Sequence, residues 1–116
     1  MTDLTRTQVI FLLNRSRKNL AGLNLSGLNL TGLDFRGANL RGTNLSGCNL
    51  AGCNFYRADL HAADLTCAHL VDSNLDRANL ENTIMRDTQL VGAYFGEPDF
   101  LTAILADPDQ LDIAIA

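Results

Sequence analysis

An apolar residue stands at every fifth position from Leu20 to Leu105, and the beat holds through eighteen consecutive pentads. The centres are thirteen Leu, four Phe and one Met. The residue before the centre is Asn or Asp in thirteen of the eighteen, and the residue two before it is usually small. A fixed internal period decides an architecture before local propensity does. A helical stripe needs apolar residues three and four apart and a strand needs alternation, so a strict five serves neither. Five residues turn an α-helix through ~500°, and centres spaced that way would line no face of it. The period suits a short extended segment followed by a tight corner. The centre and the residue two before it then point inward, and the other three point outward. Four such sides close into a square coil of twenty residues. Stacked coils pair like parallel strands, ~4.7–4.9 Å apart.

At Ala38-Asn39-Leu40, Ala58-Asp59-Leu60, Ala63-Asp64-Leu65 and Ala78-Asn79-Leu80 the chain resembles the pentapeptide-repeat family, whose pattern is A-(D/N)-L-x-x. The resemblance covers about three-quarters of the chain. It implies an all-β solenoid, a right-handed quadrilateral β-helix, here of about 4–4.5 coils with an N-terminal capping helix. It implies no activity, because the family is defined by its scaffold. Some of its members resemble duplex DNA in shape and charge and inhibit DNA gyrase.

Wrapping the sequence at twenty residues per coil puts Phe35, Phe55, Leu75 and Phe95 on one side, where rings are expected to stack into a ladder. Leu20, Leu40, Leu60, Leu80 and Phe100 form the column of another side. Each buried centre stabilises by roughly 1.5–3 kcal/mol. The Asn and Asp before the centres are expected to bond to the backbone at the corners, a familiar turn role. Gly fills the second residue after the centre from Gly22 to Gly52, then gives way to Arg57, Ala62, Cys67, Asp72, Arg77, Asn82 and Asp87. That residue needs φ > 0 in a type II turn, so type II corners are expected in the first half and another class in the second.

The ends divide the chain into a capping helix within 1–17, the β-helix over 18–107 and a C-terminal tail or cap over 108–116. Residues 4–15 read as the helix: Thr5 and Gln8 suit a capping box, and Leu4 with Val9 a hydrophobic staple. Val9, Leu12 and Leu13 share its apolar face. A solenoid end exposes unpaired backbone and apolar side chains, and the helix is the expected lid on the first coil, where Leu23, Leu28 and Leu33 add apolar bulk. After the break at Pro108, Leu111, Ile113 and Ile115 make a thinner cap and a candidate surface for a two-fold homodimer.

The composition suits one domain of 116 residues, 47% apolar, with a net charge of −4. No apolar run is long enough for a membrane span, and Val9 to Leu13 is too short even for a secretory signal core. Three cysteines, Cys48, Cys53 and Cys67, fit free thiols in a reducing compartment, so a cytoplasmic location is expected. Cys48 and Cys53 take the small inward position as compact apolar fillers, and Cys67 faces solvent. His61 and His69 fall on different sides, and Cys67 with His69 supplies two ligands where zinc needs more. The residues offer no catalytic constellation, no cofactor or metal site and no phosphate-cradling loop.

The outward columns remain. Arg41, His61 and Glu81 stack on one side; Arg36, Tyr56 and Asp76 stack on the side before it, with Arg57, Arg77 and Glu97 at its corner. The plain account is a solvated surface whose charges keep the coils in register, each exposed pair worth less than ~1 kcal/mol. The sharper account is a protein-binding face at Arg36, Tyr56, Arg57, Asp76 and Arg77. The expected function is therefore a non-catalytic scaffold for an unidentified protein partner. The alternative, from the resemblance, is a DNA mimic acting on gyrase. Over residues 18–107 there are ten acids and six bases with no acidic stripe. Such a rod, at ~4.8 Å per coil, matches only six or seven base pairs at ~3.4 Å each. Direct nucleic-acid binding is not expected, since the net charge repels phosphate.

Overall fold

A computed structural model describes residues 4–96. The pentads centred on Phe100 and Leu105, Glu97, the boundary at 107 and the tail with Leu111, Ile113 and Ile115 lie outside the described residues.

The chain begins with α1 (Arg6–Leu13), and its first turn has the expected capping box. Gln8 N–H donates to Thr5 Oγ1 at 3.3 Å, and Thr5 N–H donates to Gln8 Oε1 at 2.8 Å. The helix is shorter than residues 4–15 because Asn14 caps it. It buries Val9 and Leu13, with Leu4 and Leu12 packed partly against the same core. Arg6 fastens it by donating to the carbonyls of Asn29, at 3.2 Å, and Thr31, at 3.0 Å.

Beyond α1 the backbone is a square solenoid. Twelve parallel bridges pair each residue before a centre with its equivalent twenty positions on, from Asn19 with Asn39 to Asn74 with Tyr94. Each side is stitched to its neighbour coil in the same way. Asn39 N–H donates to Lys18 O, Leu40 N–H to Asp59 O and Gly42 N–H to His61 O, while Thr43 N–H closes the corner on Leu40 O. The strands are too short to twist apart, and the bonds run along the solenoid axis from coil to coil.

The centres from Leu20 to Leu90 are at most 5% exposed. The residues two before them, from Ala38 to Thr88, are buried as well. In the first coil Leu23, Leu28 and Leu33 are only partly buried, at the edge α1 covers. Phe35 and Phe55 stack with ring centres 4.9 Å apart and planes 7° apart, one coil spacing. The aromatic ladder stops there: Leu75 is the next rung, fully buried, and Phe95 is half-buried.

Two features go beyond the expectations. Cys48 and Cys53 are more than apolar fillers: each Sγ donates to a carbonyl 23 residues back, on Leu25 and Leu30. Thr43, Thr83 and Thr88 do the same through Oγ1 to Leu20, Leu60 and Leu65, at 2.7–2.8 Å. The small inward position thus carries a ladder of donors, and among the described residues no buried side-chain N or O lacks a partner. Second, the loss of Gly at the corners does not change the sign of φ. Gly22 to Gly52 have φ of 65–74°, and Arg57 to Asp87 hold φ of 55–61° in the same place. The backbone register, set by the coil below, keeps the left-handed conformation without the residue that favours it.

Candidate functional site

The expected partner face lies on the side with centres Phe35, Phe55 and Leu75. Gly37 N–H donates to Tyr56 O at 2.9 Å and Arg57 N–H to Asp76 O at 3.1 Å. These bonds place Arg36, Tyr56 and Asp76 in one column, and Arg57 and Arg77 in the next, one coil apart. The corner amides are held by the preceding Asx side chains: Asp34 Oδ1 accepts from Arg36 N–H, Asn54 Oδ1 from Tyr56 N–H and Asn74 Oδ1 from Asp76 N–H, at 2.9–3.0 Å. A side chain on such a corner starts from a rigid base.

Tyr56 is half-buried and Arg57 exposed. The Arg57 guanidinium lies 5.4 Å from the Tyr56 ring centre, and its Nε–H donates to the phenol oxygen at 3.2 Å. Stacking an exposed cation on a ring stabilises by roughly 0.5–1 kcal/mol. One element of the face was missed by pattern reading. Arg36 does not reach for the next coil but forks onto Asp34 of its own side, at 2.7 and 2.9 Å. The signal was available, since residues two apart on one outward side are neighbours. This hydrogen bonding from Arg36 holds the Asp34 carboxyl down at about 2. Lys18 Nζ donates to Arg36 O at 3.1 Å and adds a second cation at the foot of the column. Arg77 is exposed and in no ion pair among the described residues.

The adjacent column behaves as expected for opposite charges one coil apart. Arg41 meets Asp59 at 3.0 Å, and His61 Nδ1 lies 3.9 Å from Glu81. Burial is the largest single influence and acts to raise the Asp59 carboxyl, but the hydrogen bond and charge of Arg41 and the bond from His61 N–H together outweigh it, and the net shift is downward. Cys67 and His69 are both exposed, and no group of three or more metal-binding side chains occurs among the described residues. The buried thiols are chemically quiet: burial pushes Cys48 up and Cys53 up to about 11. None of the described helices is long and apolar enough to cross a membrane.

Comparison with known proteins agrees with this architecture. The family model for pentapeptide repeats (8 copies) matches residues 19–55, 53–90 and 63–100. A pentapeptide repeat protein from the thylakoid lumen of Arabidopsis thaliana is 30% identical with a TM-score of 0.68, over 82% of this chain and 62% of its own. QnrB1, a plasmid-mediated fluoroquinolone resistance protein, is 28% identical with a TM-score of 0.64, over 68% of this chain and 41% of its own. The chain thus spans less than two thirds of either structure. No functionally curated protein matches it. The square coil is the right-handed quadrilateral β-helix of these relatives. The chain belongs to the pentapeptide-repeat family.

Proposed function

We propose that the protein is a non-catalytic rigid scaffold that binds another protein through the side bearing Arg36, Tyr56, Arg57, Asp76 and Arg77. The observation that carries this reading is the Arg57–Tyr56 stack on a corner fixed by backbone bonds. Tyr and Arg are among the residues enriched at binding hot spots, and rigidity lowers the entropic cost of docking. The side chains around it carry charge of both signs. We place this activity in the cytoplasm, where three free thiols persist. Affinity capture with the wild-type chain and with Arg57→Glu tests the reading. The expected result is a partner retained by the first and lost by the second; equal capture by both would remove this side from the interface.

A second reading, inhibition or protection of DNA gyrase by mimicry of DNA, draws support from the likeness to QnrB1, itself a fluoroquinolone resistance protein. Charge weighs against it. Residues 18–96 hold seven acids and six bases, which is far from the continuous negative field of a duplex, and four coils rise only ~19 Å. A supercoiling assay decides: the scaffold reading expects no inhibition by the monomer.

A further inference from the structure

α1 buries Val9 and Leu13 against the first coil, so its opposite face forms the end of the rod. Phe11, two residues from Val9 and ~200° around the helix, stands on that face and is 60% exposed. No large apolar side chain among the described residues is more exposed. The Arg15 guanidinium lies 5.4 Å from the Phe11 ring centre. Arg17, in the turn that follows, is exposed and in no ion pair among the described residues. Arg6 and Lys18, at the rim, donate to carbonyls of the first coil and not to carboxylates. Residues 4–33 thus hold four bases and no acid. Asp3, before them, lies outside the described residues, and Asp34, after them, is gripped by Arg36. The far half is the reverse, with six acids and two bases over residues 58–96.

We propose that this end of the rod docks on an anionic membrane surface. Phe11 enters between the headgroups, Arg15 and Arg17 meet lipid phosphates and carboxylates, and Arg6 and Lys18 add positive field behind them. The net charge of −4 opposes such contact, and distance decides the outcome. The third coil stands two coil spacings, ~10 Å, above the first, and α1 adds ~10 Å of its own. The screening length at physiological salt is only ~8 Å, so the cations of the tip act nearly alone. The acidic half turns away, and the rod stands end-on. The side bearing Arg57 then remains free for a protein partner, and the docking does not depend on that reading.

A bilayer suits this tip better than a nucleic acid. Single strands are held along a charged groove by successive rings, and α1 exposes one. Interfacial anchors combine Lys and Arg with an aromatic that enters the headgroup boundary. Because the apolar face of α1 is committed to the first coil, the attachment is peripheral, reversible and sensitive to salt. Each base near an anionic leaflet strengthens it by about fivefold.

Co-sedimentation of the intact chain with phosphatidylcholine vesicles, with and without phosphatidylserine, tests this at low and high salt. The expected result is binding to the anionic vesicles at low salt, release at high salt and no binding to phosphatidylcholine alone. Arg15→Glu with Arg17→Glu is expected to weaken binding by at least about tenfold, and Phe11→Ser by about tenfold. Arg57→Glu, in the second coil on the side proposed for the protein partner, is expected to change it by less than about twofold. These variants alter side chains outside the core, and circular dichroism keeps only folded chains. The protein has no Trp, so Phe11→Trp supplies a single reporter whose emission is expected to shift to the blue on anionic vesicles. No binding at low salt, binding indifferent to Arg15 and Arg17, an equal loss with Arg57→Glu, or an unshifted Trp would each overturn the proposal. A single-stranded oligonucleotide held in preference to the vesicles would overturn it as well and give the tip to nucleic acid. Loss of a captured protein with Arg57→Glu bears on the scaffold reading alone.

Discussion

The first two coils and the last two share one backbone and reach it with different residues. In the lower half Gly takes the left-handed corner position; in the upper half Arg57, Ala62, Cys67, Asp72, Arg77, Asn82 and Asp87 take it, at φ within about 20° of the glycines. Left-handed backbone disfavours a side-chain-bearing residue by roughly 1–2 kcal/mol. Seven such residues in a row are tolerable only because the stack compels the conformation. From Gly22 to Asp72 the corner amide donates to the carbonyl of the next coil, Gly42 to His61 and Ala62 to Glu81 alike, at 2.9 and 3.0 Å. Local preference sets the corner in the lower half; neighbouring coils impose it in the upper.

The largest expected effect does not distinguish the halves at all. Leu45→Ala in the lower half and Leu65→Ala in the upper remove equivalent, fully buried centres, and each costs roughly 2–5 kcal/mol. Outward changes beside them, Ser46→Ala and Thr66→Ala, stay within about 0.5 kcal/mol. Chemical unfolding measures all four. Unequal losses at the two centres would mean that the halves differ in packing as well as in corner residues.

The corners themselves come next. Gly42 has nothing within 4 Å of an added Cβ, so Gly42→Ala carries only the conformational penalty and is expected to destabilise by about 1 kcal/mol. Ala62→Gly relieves that penalty but adds unfolded-state entropy, and is expected to be neutral to slightly stabilising. Gly92 separates two causes, because there an added Cβ would also collide with the Asp72 carboxylate. Gly92→Ala should therefore cost more than Gly42→Ala, with the excess vanishing when Asp72→Ala is made in the same chain. If the excess persists, the collision is not its source.

A smaller effect tests the inward donors. Thr43→Val and Thr83→Val each delete a hydroxyl that donates to a buried carbonyl, of Leu20 and of Leu60. Each is expected to cost about 1 kcal/mol by the same unfolding measurement, equally in the two halves. A neutral result would show that the corner amide, which donates to the same carbonyl, satisfies it alone.

The period of five made the coil, the inward columns and the Asx corners legible, because each is a direct consequence of spacing. α1 was legible from Thr5 and Gln8. What spacing could not reveal was anything decided by reach. The hydroxyl and thiol ladder depends on a small polar side chain meeting a carbonyl 23 residues away. The Arg36 fork depends on a rotamer choice between Asp34 and the next coil. The aromatic ladder was overdrawn because one Leu, Leu75, interrupts it. Along the candidate side, the columns were placed correctly by arithmetic, but whether its members bind anything is a property of a partner that no repeat pattern encodes.

The smallest expected effect compares the ion pairs of the two halves. In the lower half Arg36 grips Asp34 with two short bonds, whereas in the upper half His61 and Glu81 stand 3.9 Å apart. The Asp34 carboxyl sits at about 2 because the Arg36 hydrogen bonds favour its charged form. A depressed carboxyl contributes stability that is present above its unfolded value of about 3.9 and is lost as pH falls toward 2. Both side chains are about half exposed, at 59% and 48%, so solvent screening keeps the contribution below ~1 kcal/mol. Asp34→Asn removes the titration, and its unfolding midpoint is expected to converge on that of the wild type as pH drops from 5 to 2. If Asp34→Asn keeps a constant offset across that range, the fork contributes packing and not charge.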